Sequence, residues 1–239
     1  MEAWQSRILL TIAQVRCPNR PYIADADIAS DTDIDIVIIA LLVQLSTGTG
    51  GQPVFNLANS QNNCTLFDGT SLLDCPSVGD DIRQCQEKYG KKVFLSIGGA
   101  TYTEGGFESP DAANSGAQLV WDTFGPTQGS VSNVCNGTSG SNHSCQALVL
   151  RPFGNASVDG FDFDFESTTQ NLVPFARTLR SLMDQDASKR YYLTAAPQCP
   201  YPDLAGESLL RSDIYLDAVF VQFYNNYYGL PSFSPNATT

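Results

Sequence analysis

Histidine is nearly absent from this chain: the one in 239 residues is His143, in a Gly/Ser/Asn-rich stretch between Cys135 and Cys145. Placed there, where a solvated surface role is the plain reading, it gives little support to a Ser-His-Asp triad or a histidine-built zinc site. Basic residues are scarce as well, 13 Lys and Arg against 25 Asp and Glu for a formal net charge of -12. Binding nucleic acid requires Lys and Arg concentrated on one face, so no nucleic-acid partner is expected. The longest apolar run, Ile36 to Val43, is far shorter than the roughly 20 residues needed to cross a bilayer, and no membrane span is expected. Gly48 to Gly51 is glycine-rich, but neither Lys-Ser nor Lys-Thr follows, so it reads as a loop and not as a phosphate cradle. No low-complexity stretch or long polar linker divides the chain, and residues 1–239 are read as one domain.

What is present begins with 7 cysteines and with sequons at Asn63, Asn136, Asn142, Asn155 and Asn236. Together they favour an oxidising compartment, and the chain is expected to be extracellular. The segment Met1 to Val15 makes a poor signal peptide, because Glu2 precedes Arg7 and Thr11 and Gln14 interrupt the apolar stretch. A missing first exon or a wrong start site would account for that.

Short apolar runs separated by helix-length polar stretches read as buried parallel strands. They are Ile34 to Val43, Lys92 to Ile97, Ser157 to Glu166, Tyr191 to Pro197 and Leu216 to Tyr224. Helices are expected over Asp80 to Tyr89, with Gly90 as the stop, over Ala112 to Phe124 and over Leu172 to Met183. The alternation argues for an α/β fold, either an open doubly wound sheet or a barrel, and periodicity does not choose between them. Residues 125–150 read as a disulfide-closed surface insertion. In the first thirty or so residues Arg7 to Val15 could form a strand, whereas Cys17 to Asp33 reads as loop.

The strongest local signal is the run Asp159, Gly160, Phe161, Asp162, Phe163, Asp164, Phe165, Glu166. Strand side chains alternate, so Asp162, Asp164 and Glu166 share one face and three phenylalanines the other. Acids spaced roughly 7 Å apart repel one another, and at least one should hold its proton near neutral pH. A protonated acid beside ionised ones is what glycoside cleavage requires. Two plainer readings compete: an acidic face left in water, and a calcium site. A triple-Phe reverse face puts the strand in a core, where unpartnered acids are costly. The Gly and Asn pattern of a calcium loop is absent.

The same run resembles the D-G-x-D-x-D-x-E signature of family 18 glycoside hydrolases. Ser96, Ile97, Gly98 and Gly99 resemble that family's second signature, S-x-G-G at the end of the third barrel strand. Asn56-Leu57-Ala58, Arg151-Pro152-Phe153-Gly154 and Val221 to Asn226 are similar to the class III, hevamine-like chitinases. The resemblance implies a (β/α)8 TIM-type barrel with Glu166, Gly99 and Tyr224 converging at the C-terminal strand ends. It implies an endochitinase cleaving β-1,4-linked N-acetylglucosamine with retention, using neither metal nor cofactor. Glu166 would be the general acid, and the substrate's own N-acetyl oxygen the nucleophile. Asp164 would accept the acetamide N–H, Asp162 would share a proton with Asp164, and Tyr224 would donate to the acetamide oxygen. Gln222, Gly98, Gly99, Asp159 and Asn225 are expected to bind the sugar.

The resemblance also implies disulfides Cys64–Cys75 and Cys17–Cys85. Cys135 with Cys145 would close the insertion, leaving Cys199 over. Several family features have no counterpart. Residues 1–32 match poorly, with Trp4 and Gln5 at best a remnant of the aromatic-rich end of the first strand. Leu41, Leu42 and Val43 stand where a sugar-contacting amide is usual. About six barrel strands are expected, with strands seven and eight missing. An open sheet exposes edges, so self-association is expected. The competing readings are a non-catalytic, lectin-like chitin binder and an inactive truncated product.

Overall fold

The computed structural model describes residues 9–12, 34–57, 64–127, 149–224 and 226–227. Its central feature is a seven-stranded sheet in the order β1 (Leu9–Ile12), β2 (Ile36–Gly48), β6 (Lys92–Gly98), β7 (Gly160–Asp164), β8 (Tyr192–Ala195) and β9 (Ala218–Val219). These strands run parallel; β3 (Gln52–Phe55) alone pairs antiparallel, folding back on the far end of β2. The expected parallel strands are therefore present, including a first one within Arg7 to Val15. Among the described residues they form an open sheet with β1 and β9 at its edges, and no closed barrel. A small hairpin of β4 (Thr65–Leu66) and β5 (Leu73–Asp74) stands apart.

Helix α1 (Pro76–Tyr89) starts with Pro at its first position, where the missing N–H costs nothing, and ends on Gly90 in the left-handed region. Helix α2 (Pro110–Phe124) is capped by Ser109, whose hydroxyl accepts from Ala112 N at 3.2 Å. Helix α3 (Leu172–Gln185) buries Leu172, Phe175, Ala176, Leu179 and Met183, the stripe read from the sequence. A short α4 (Glu207–Leu210) follows β8.

The phenylalanine face of β7 is the heart of the core. Phe161 is buried near Trp121 of α2, Phe163 near Phe175 of α3, and Phe165 against Tyr102. Each such ring contributes about 2–3 kcal/mol by leaving water, so this face pins β7 to the helix layer and turns its acids the other way.

Every strand differs in its limits from expectation by a residue or more, and β2 runs on past Val43 to Gly48, where β3 pairs with its far end. Leu216 to Tyr224 shrinks to Ala218–Val219 plus an isolated bridge from Gln198 to Gln222, because β8, the one described neighbour, ends at Ala195. Ser157 to Glu166 shrinks to Gly160–Asp164, because β6 ends opposite Asp164. The Cys64–Cys75 disulfide is present and Cys199 is free and half-buried. Cys85 is disulfide-bonded. Its expected partner Cys17, the Cys135–Cys145 pair, His143, and 128–148 of the insertion lie outside the described residues. No helix among the described residues is long and apolar enough to cross a membrane.

Candidate active site

Strand register assembles the site. Asp162 lies opposite Ser96 on β6 and Thr194 on β8, and both hydroxyls donate to it, Ser96 Oγ at 3.0 Å and Thr194 Oγ1 at 2.6 Å. The carboxyl is 3% exposed, and burial raises its pKa against the lowering effect of the two hydroxyls. One pleat further, Asp164 is half-buried and accepts from Gln222 Nε2 at 2.5 Å. Its pKa is pushed up to about 7, first by burial, then by repulsion from Asp162 and Glu166, with the Gln222 bond opposing. Glu166, another pleat on, is exposed just beyond the strand. The acids thus run from core to mouth along one face, close enough for Asp162 and Glu166 to act on the charge of Asp164.

Gln222 is held as well as holding. It is 5% exposed, and its Nε2 also donates to Ala196 O at 2.9 Å, bridging the end of β8 to reach Asp164. Tyr224 is 58% exposed, and its hydroxyl pKa is raised by burial first, then by Asp164, Glu166 and Asp162. The phenol therefore lies within the field of all three acids. Asp162, Asp164, Glu166, Gln222 and Tyr224 are brought together, whereas Asn225 lies outside the described residues.

Gly98 and Gly99 serve differently from expectation. Both are buried with positive φ, 120° and 76°. A Cβ on Gly98 would come within 2.5 Å of Asp164 O, and one on Gly99 within 2.2 Å of Leu41 Cδ1. Protein atoms fill the space beside them, and Gly99 N donates to Asp164 O at 2.7 Å. They let β6 approach the backbone of Asp164 and so support the site from below.

Asp159 is not brought to the site. It sits at the N-terminal end of β7, 3% exposed, where its carboxylate accepts from Gln86 Nε2 (2.7 Å), Val93 N (2.9 Å) and Lys189 Nζ (3.0 Å). With all its partners taken, it locks β7 to β6 and to the entry of β8. The correction was available in the sequence, since Asp159 shares the parity of the phenylalanines and precedes the strand. Ser96 and Thr194, by contrast, were not read as site residues. They lie 66 and 32 residues from Asp162 in sequence, and only strand order brings them alongside. Among the described residues no group of His, Cys, Asp and Glu could hold a metal ion.

Comparison with known proteins adds to this geometry. The family model described as "Glycosyl hydrolases family 18" matches residues 54–237. A class III chitinase of Arthroderma benhamiae is 50% identical over 201 residues, covering 84% of this chain and 56% of that protein. The chain thus spans little more than half of that relative's length. Among solved structures, a chitinase from Ipomoea carnea matches with TM-score 0.59 and 32% identity over 81% of this chain and 60% of that one. A xylanase and alpha-amylase inhibitor protein from Scadoxus multiflorus matches with TM-score 0.62 and 26% identity over 90% and 65%.

Proposed function

The chain belongs to glycosyl hydrolases family 18, and from that premise we propose that it hydrolyses β-1,4-linked N-acetylglucosamine within chitin chains. The observation that carries the reading is the graded acid row of β7, with Asp164 tied to Gln222 and raised to about 7, and exposed Glu166 beyond it. Glu166 donates its proton to the glycosidic oxygen, because it alone of the three stands in solvent at the mouth. Neither of the other two acids of the row stands exposed at the mouth. Asp162 is buried under two hydroxyls, and Asp164 is engaged by Gln222. As membership of the family implies, the substrate's acetamide oxygen acts as the nucleophile, which gives retention of configuration. Asp164 accepts the acetamide N–H and stabilises the cation that forms, while Tyr224 donates to the acetamide oxygen and holds it against the anomeric carbon.

Acetamide participation has a direct test. N-acetylated chitooligosaccharides should be cleaved with the β-anomer appearing first by NMR. Fully deacetylated oligomers of the same length should remain intact, since an amine offers no oxygen to close the ring. Cleavage of the deacetylated oligomer at a similar rate would remove the substrate from the mechanism.

A non-catalytic sugar-binding role is the second reading, favoured by the likeness to a tamarind chitinase like lectin, TM-score 0.51 and 25% identity over 80% of this chain and 57% of that one. Under it the protein binds the acetylated oligomer without turnover. Secretion is proposed from the Cys64–Cys75 disulfide and from Asn155, an exposed sequon asparagine. The β9 edge, unpaired among the described residues, exposes Val219, Val221 and Phe223 at 45%, 40% and 57%. A second copy of the chain is proposed to pair there, as bare edges do. Sedimentation velocity should then show a weight-average mass that rises with concentration, and a sharp monomer throughout would contradict it.

A further inference from the structure

We propose that Glu104, on the loop between β6 and α2, is a positioning residue for Glu166, acting by pinning that loop to the β2–β3 hairpin. Strand β6 stops at Gly98, whereas β2 continues to Gly48, and the last register pair between them is Leu42 with Ile97. Further along β2, backbone N–H groups need acceptors that β6 no longer supplies. Glu104 supplies them. Its Oε2 accepts from Leu45 N at 2.6 Å, and its Oε1 from Ser46 N at 3.1 Å, Thr47 N at 2.9 Å and Thr47 Oγ1 at 2.6 Å. One carboxylate thus gathers three successive amides, an anion nest occupied from within the chain. Both of its oxygens are engaged, so Glu104 does not itself act on a sugar.

The other side of the same loop bears on β7. Gly99 N donates to Asp164 O at 2.7 Å, and Tyr102 N donates to Gly99 O at 3.0 Å. The Tyr102 ring meets the Phe165 ring in an edge contact, centroids 5.1 Å apart. Phe165 lies between Asp164 and Glu166, past the last ladder pair of β7. The Glu166 carboxylate makes no hydrogen bond to another described residue, so the backbone at Phe165 sets its place. The loop is clamped between hairpin and strand, and Glu104 is the hairpin side of the clamp. Releasing it lets Tyr102 and Phe165 shift, and a misplacement near 1 Å costs on the order of 10²-fold in rate when complete.

The kinetic consequence rests on the chitinase reading; the mechanical one does not, and two measurements on the full chain separate them. In Glu104→Ala, hydrogen exchange should speed up at Leu45, Ser46 and Thr47 and also at Gly99, whose amide is bound to Asp164. Deprotection confined to the hairpin would overturn the proposal. On a chitooligosaccharide, kcat should fall about tenfold with KM within about twofold, as for an acid held less firmly. Glu104→Gln can keep its carbonyl oxygen where Oε1 sits, retaining three of the four bonds, and should recover most of kcat. Unchanged kcat with a lower Tm, or a raised KM at constant kcat, would also overturn it. Should the wild-type chain cleave no oligosaccharide, the chitinase reading fails while exchange at Gly99 still decides the proposal.

Discussion

Glu166→Gln is expected to lower kcat on a soluble chitooligosaccharide by about 10²–10⁴-fold, the range lost when a positioned general acid is removed. The substitution is isosteric, and its site is exposed and free of hydrogen bonds to other described residues. Folding should therefore be untouched, with Tm within about a degree of wild type, as for surface changes that break no named contact. Oligosaccharide binding, read by calorimetry, should persist, because an amide fills the same volume and lacks only the proton. Full activity in the variant would place the donor elsewhere. Equal binding with no turnover in either form would favour the non-catalytic reading.

Asp164→Asn should separate activity from stability. In the variant the amide oxygen can still accept from Gln222, which leaves its N–H₂ facing the position where the acetamide N–H would arrive. Two donors then meet and the negative charge opposite the oxazolinium is gone, so kcat should fall by about 10²-fold, as when one electrostatic partner of a transition state is removed. Stability should move the other way at alkaline pH. The Asp164 carboxyl is raised from 3.8 to about 7 in the folded chain. Its neutral form therefore favours folding, fully below about pH 4, and that contribution is lost as pH rises through 7. At about 1.4 kcal/mol per unit the loss reaches at most about 4 kcal/mol by pH 8. Burial of Asp162 acts in the same direction. Wild type should thus melt progressively lower between pH 5 and pH 8, and the Asn variant should show a shallower decline and exceed it at pH 8. Parallel melting profiles for the two proteins would show that this carboxyl does not carry the pH dependence.

Much of the site could be read before any coordinates. The alternation from Phe161 to Glu166 separates core from chemistry because a strand has only two faces, and the structure sets Phe161 and Phe163 against the helix layer and Phe165 against Tyr102. Asp159 was misread because membership in a recognisable run was weighed above its parity. Gly98 and Gly99 were assigned to the sugar, yet their missing side chains make room for Leu41 and for the backbone of Asp164. A motif marks that a glycine is needed without saying what comes close to it.

The linear chain determined the family, the order of strands and helices, and which acids share a face, since all of these follow from local periodicity and short-range spacing. Tertiary structure alone decided which carboxyl is raised, and by whom. That Ser96 and Thr194 flank Asp162, that Gln222 reaches Asp164, and that Glu104 stands in for a strand neighbour of Leu45 to Thr47 all depend on pairings between distant segments. Burial and hydrogen bonding set a proton affinity, and both are properties of neighbours that the chain brings together only when the sheet forms.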